Sequence, residues 1–255
     1  MQLRALSVVS SALLTLAIAA PALAQSECAA GASVDARLTA AEAKADRPDK
    51  AKALDPVRDS ENRFLLQYVK AGDHVLDLGA GGGYSSWLLS AAVCGGSVDS
   101  QNPPQWVSTP AAQDARKAMT TARPNIQLVT SDFDKVPAPA KPYDVVFIGT
   151  IYHDTYNMAG ADGVKMDKNL LAALKPGGLV VVIDHNAAAG TGISTTNTLH
   201  RIDKAQVLND FKSAGFTLVS DSDALANKDD DRSLKVFDPK VRGHTDRMAL
   251  VFKKP

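Results

Sequence analysis

Histidine and acid side chains recur in this sequence at points where apolar runs end. His153-Asp154 follows the run 143–148, Asp184-His185 follows the run 179–183, and His200 stands just before Arg201-Ile202-Asp203. An imidazole titrates near neutral pH, which suits removal of a proton from a bound reactant. His153, Asp154 and His185 are therefore the candidate catalytic residues, with His200 a further option. A second kind of chemistry is written into residues 75–85, VLDLGAGGGYS. There an apolar run carrying one acid, Asp77, opens into a glycine cluster. Glycines accept φ > 0 and let a ligand approach the backbone with no Cβ in the way.

The elements that must position these groups alternate along the chain. Strands are expected over 74–78, 97–101, 126–130, 143–148, 179–183, 216–220 and 247–252. Helices are expected over 84–92, 111–121, 166–174 and 203–213. Strands alternating with helices imply a mostly parallel sheet with helices on both faces. In such sheets ligands bind beyond the carboxyl ends of the strands. The glycine turn after the first strand and the histidines after the fourth and fifth would then share one rim. Ahead of this alternation, 55–71 reads as a helix with Pro56 at its start and an apolar face of Phe64, Leu65, Tyr68 and Val69. Residues 25–54 read as a solvated helical arm that would pack across the main body, and 55–255 as the functional domain.

The first 24 residues are of another kind. Arg4 precedes an apolar run of about 16 residues, too short to span a bilayer, and Pro21 and Ala22-Leu23-Ala24 follow. This is the pattern of a secretory signal peptide (1–24) cleaved before Gln25. The expected location is the periplasm or the exterior, with no stable membrane anchor once the signal is removed. There Cys28 and Cys94 would meet oxidising conditions and would be able to pair. The whole chain carries 28 basic and 28 acidic residues, so no global field points to nucleic acid. A small-molecule substrate is the expected partner.

A dinucleotide site would place a third glycine at position 84, where this chain has Tyr84. The acid two residues before the first glycine instead resembles motif I of the class I S-adenosylmethionine-dependent methyltransferases, and the resemblance extends over 57–255. It implies a Rossmann-like, doubly wound α/β fold whose seven-stranded sheet is mostly parallel, with an antiparallel last strand. It implies S-adenosyl-L-methionine as cofactor, with Asp77, Leu78, Gly79, Ala80 and Gly81 around the amino-acid end. Asn102 stands where the family usually has the ribose-binding acid, and Asp132 and Phe133 stand where it meets adenine. LLAALKPGGLVVVIDH resembles the family's helix, Lys-Pro-Gly-Gly turn and fifth strand. The segments NPP, IDHN, TLHRID and FDPKVRGHTDR resemble, more narrowly, a bacterial group of exported predicted methyltransferases.

The expected function is methyl transfer to an unidentified small molecule, the alternative being an exported binding module that keeps the fold without turnover. No metal is expected, because Gly149-Thr150 stand where metal-using members place an aspartate. Asp184-His185-Asn186 with His153 is the set that would hold one otherwise. The loop 186–202 is long enough to serve as a substrate lid, and Arg201, Arg232, Arg242 and Arg247 would be able to gather an anion.

Overall fold

The computed structural model describes residues 31–160 and 162–255. The expected signal peptide, Gln25 and Cys28 lie outside the described residues. Among the described residues three helices come first: α1 (Val34–Glu42), α2 (Asp49–Lys52) and α3 (Asp55–Leu66). Then β1 (His74–Leu78), α4 (Tyr84–Ala92), β2 (Ser97–Asn102), α5 (Pro110–Ala122) and β3 (Ile126–Thr130) follow. The second half contains β4 (Tyr143–Gly149), α6 (Tyr152–Thr155), α7 (Gly163–Ala173), β5 (Leu174–His185), α8 (Thr196–Leu199), α9 (Lys204–Ala214), β6 (Thr217–Ser222) and β7 (Arg247–Lys253). Among the described residues no helix is long and apolar enough to cross a membrane.

The strands form one seven-stranded sheet in the order β3-β2-β1-β4-β5-β7-β6, parallel except where β7 runs antiparallel to β5 and β6. The fold is thus the Rossmann-like α/β arrangement expected. Side chains alternate across the sheet, so each central strand feeds two cores. Leu76, Leu78, Val146, Ile148, Val180 and Val182 face α7 and α9 through Met166, Leu170, Val207 and Phe211. Val75, Val145, Phe147, Val181 and Ile183 face the other side, with Leu38, Phe64, Leu65, Trp87 and Leu88.

The arm packs across the main body, with Leu38 and Ala41 of α1 buried in the second core while most of its other described residues are exposed or half-buried. Arg37 donates from its guanidinium to the Leu66 and Ala92 carbonyls. The Lys175-Pro176-Gly177-Gly178 segment is not a free turn between helix and strand. It is a bulge within β5, where pairing with β4 jumps from Tyr143↔Leu174 to Val145↔Leu179. The backbone after β7 holds it, Gly177 N donating to Lys254 O and Lys254 N to Gly178 O. Cys94 is disulfide-bonded.

Candidate functional site

The glycine turn leaves β1 with Gly79 at φ 67°, Gly81 at 54° and Gly83 at 84°. The end of β2 holds it. Gly79 N donates to Gln101 Oε1 at 2.9 Å and Ala80 N to Gln101 O at 2.8 Å. Gly81 N donates to Asn102 Oδ1 at 2.7 Å, and Asn102 Nδ2 returns a bond to Gly81 O at 3.2 Å. Asn102 therefore clamps the turn, and one carbonyl lone pair and one amide N–H are left for a ligand hydroxyl. Gln101 also donates to Ser131 O at 2.6 Å, which ties the turn to the loop carrying Asp132 and Phe133.

Asp77 is buried beneath the turn, accepting from Ser86 Oγ at 2.6 Å. Burial pushes its pKa up to about 6. Above it lies a cavity of ≈ 500 Å³, bordered by Asp77, Gly79–Gly82, Thr150 and Ile151. Its roof is the N-terminal arm, through Lys50, Leu54 and Arg58. A Cβ on Gly81 or Gly82 would meet nothing within 4 Å, so these glycines border open space. A Cβ on Gly79 would instead come within 2.8 Å of Ile151. The roof is bolted to Tyr84, the first residue of α4. Tyr84 donates to Asp55 Oδ1 at 3.0 Å and accepts from Asn62 at 2.7 Å. Asp55 in turn takes a two-pronged bond from the buried Arg47 guanidinium, at 2.8 and 2.5 Å. Trp106 lines this cavity and a second one of ≈ 600 Å³. Asp132, Phe133, Asp154 and Met158 border the second. The Trp106 and Phe133 rings meet edge to face at 5.5 Å. Of the eight expected cofactor-site residues, Asp77, Gly79, Ala80, Gly81, Asn102, Asp132 and Phe133 gather at this end of the sheet, whereas the Leu78 side chain is buried in the core on the α7 side.

The histidines converge beside this rim because β4 and β5 are parallel neighbours, with Gly149 opposite Ile183. Asp184, fully buried, accepts from both the backbone N and Nδ1 of His153 at 2.8 Å. Burial opposes charge on each partner, yet their mutual attraction outweighs it: the Asp184 pKa is held below, and that of His153 above, the ordinary value. His153 Nε2 lies 3.2 Å from His200 Nδ1, and Asp154 Oδ1 lies within 3.6 Å of both rings. Burial and then the charge of His153 lower the His200 pKa. His185 stands apart, its ring 6.1 Å from that of His153 and its Nδ1 2.7 Å from Thr245 Oγ1. Burial pushes its pKa down to about 3, so it stays a neutral imidazole in any ordinary buffer.

The expected anion collectors do not form a group. Arg201 is buried against Asp230, Arg232 pairs with Asp246, and Arg247 pairs with Glu61. Each of these three cations already has its own carboxylate, and Arg242 is exposed. The loop 186–202 is tied at its base, with Ala187 N donating to Ile202 O and Ile202 N to His185 O. Sequence reasoning missed the roles of Gln101, Ser86, Trp106 and the roof. For Tyr84 a signal existed, since a tyrosine stands where a dinucleotide turn has glycine.

The fold is shared with many solved methyltransferases. One is in the complex between the Haloferax volcanii Trm112 methyltransferase activator and its methyltransferase: 20% identity, TM-score 0.59, covering 81% of this chain and 94% of that one. A S-adenosylmethionine-dependent methyltransferase from Aquifex aeolicus shares 19% identity with TM-score 0.55, covering 82% and 99%. A TehB-like methyltransferase from Corynebacterium glutamicum shares 17% with TM-score 0.53, covering 81% and 97%. No curated protein matches by sequence. The model of the protein-L-isoaspartate(D-aspartate) O-methyltransferase (PCMT) family matches residues 60–208. That span holds the glycine turn, the β2 and β3 loops and the whole histidine cluster, more than half of the 255 residues, and the chain belongs to this methyltransferase family.

Proposed function

We propose that this chain is an exported methyltransferase that methylates an oxygen of a small acceptor molecule. S-adenosylmethionine is the cofactor, as membership of a methyltransferase family implies. The residues present fit it. Asp77, a buried acid that makes no salt bridge among the described residues, suits its ammonium group. Lys50 in the roof, with Arg58, which also pairs with Glu61 at 3.1 Å, suits its carboxylate, Asn102 its ribose, and Asp132 and Phe133 its adenine. When bound, the cofactor supplies a methyl group on a sulfonium sulfur. The chain's own residues hold the acceptor in line and manage its proton.

The observation that carries the oxygen-acceptor reading is the Asp184–His153 pair with His200 beside it. Asp184 sets the orientation of His153 and leaves Nε2, 3.2 Å from His200 Nδ1, as the atom that would accept a proton. A hydroxyl acceptor needs such a group; a carboxylate acceptor is already anionic and does not. Asp154 is placed to orient the acceptor at the edge of the second cavity, and the neutral His185 to donate or accept a hydrogen bond. The family's own name favours a second reading, methylation of an isoaspartyl carboxyl group. Export is supported by the N-terminal sequence pattern, the likeness to exported methyltransferases, and the disulfide at Cys94. The test is transfer of labelled methyl to a panel of phenols and hydroxy acids beside an isoaspartyl peptide. Label on a hydroxyl compound and not on the peptide is the expected result; label on the peptide alone selects the second reading.

A further inference from the structure

His153, Asp154 and His200 have the donor set and the spacing of a metal site. His153 Nε2 lies 3.2 Å from His200 Nδ1. Asp154 Oδ1 lies 3.5 Å from the first and 3.6 Å from the second. Around a tetrahedral zinc ion with bonds of about 2.0–2.2 Å, neighbouring ligand atoms stand about 3.3–3.6 Å apart. Two edges of the triangle fall in that range and the third is about 0.1 Å short of it. Hydrogen bonding accounts for it only in part. The two ring nitrogens can share one proton and Asp154 Oδ1 accepts from Asn157 Nδ2 at 3.2 Å, but that oxygen is too far from either ring for a good hydrogen bond.

The surroundings point the same way. A metal-binding histidine almost always donates its other ring N–H to a carboxylate or carbonyl, which fixes the ring and exposes the lone pair. Asp184 does this for His153, with its second oxygen on the His153 backbone N–H. His200 reaches the triangle from the end of α8 in a left-handed conformation, φ 55°. That is a strained state for a non-glycine residue, and such states persist where the surroundings impose them.

We propose that His153, Asp154 and His200 bind one divalent first-row cation, zinc by geometry, against the expectation of no metal. Two histidines, one carboxylate and an open fourth position are the make-up of catalytic rather than structural zinc sites. The open position adjoins the ≈ 600 Å³ cavity that Asp154 lines. Its ligand is an oxygen donor, the acceptor's hydroxyl group, whose ionisation a cation would favour; with the cation bound, His153 Nε2 is a ligand, and the cation replaces it in the role of base given to it above. That last assignment rests on the methyl-transfer reading; the cation site itself does not.

The test uses the full chain, stripped with a chelator. It is titrated with Zn²⁺ by calorimetry and with Co²⁺ by visible absorption. One equivalent of each is expected, the cobalt form showing the intense bands of a tetrahedral centre. Asp154 and His200 are only partly buried, so Asp154→Asn and His200→Ala should fold; each should weaken zinc at least about 100-fold. Asp184→Asn, acting through His153, should weaken it about 10- to 100-fold. His185→Gln, outside the triangle, should bind zinc as the wild type does. Absence of binding, or equal binding by His200→Ala, overturns the site. S-adenosylhomocysteine is titrated in parallel. Its binding without zinc binding defeats the metal site alone, and zinc binding without it defeats the methyl-transfer reading alone.

Discussion

Asp77→Asn should make the unliganded protein more stable and at the same time worse at binding its cofactor. The acid is buried, and its pKa rises from the ordinary 3.8 to about 6. Keeping it ionised at neutral pH costs about 3 kcal/mol, at 1.36 kcal/mol per pKa unit. The sign follows from proton linkage. Between about pH 4 and pH 6 the folded state holds a proton that the unfolded state has released. Stability from this group is therefore full below pH 4 and is lost as pH rises through 6. Asparagine has no such loss, and its carbonyl can still accept from Ser86 Oγ, now at 2.6 Å from Asp77. Urea unfolding should show the variant more stable by about 2–3 kcal/mol at pH 8 and by about half that at pH 5. Calorimetry should show S-adenosylhomocysteine affinity down at least tenfold, since a charge-assisted bond to the ligand's ammonium is worth about 1.5–3 kcal/mol. A variant less stable than wild type at pH 8, or one that binds unchanged, refutes the reasoning.

Gly79→Ala combines a φ of +67° with a Cβ 2.8 Å from Ile151. It should lower stability by about 2 kcal/mol or more in urea unfolding and abolish cofactor binding. Asp55→Ala strips the carboxylate from the buried Arg47. It should cost about 3–5 kcal/mol and raise the cofactor Kd, because the roof loses its bond to Tyr84. Of the two tryptophans only Trp106 lines the cavities. Fluorescence should change on S-adenosylhomocysteine addition and the change should vanish in Trp106→Phe; a response that persists places the cofactor elsewhere.

What the sequence shows well is what is local. Asp77 and the glycines lie within a few residues of one another, so the turn and its ligand class can be read without knowing the fold. The seven strands and the antiparallel last one follow from apolar runs and the family pattern. Contacts set by strand neighbours are not legible in this way. His153 and Asp184 are 31 residues apart and meet only because β4 and β5 pair in register. The arm reads as polar because Arg37, Arg47 and Asp55 are charged, yet those charges are spent on buried carbonyls and on each other. Arg201, Arg232 and Arg247 look like free cations until Asp230, Asp246 and Glu61 are brought to them by the fold. Asn102 reads as a ligand group by position, while its amide clamps Gly81.

The central claim is that the turn above Asp77 holds S-adenosylmethionine. Calorimetric titration of the folded protein with S-adenosylmethionine and S-adenosylhomocysteine tests it most directly. Binding of one equivalent with Kd on the order of micromolar, about −8 kcal/mol, strengthening as pH rises through 6, is the predicted result. No binding of either compound by protein shown to be folded would contradict it.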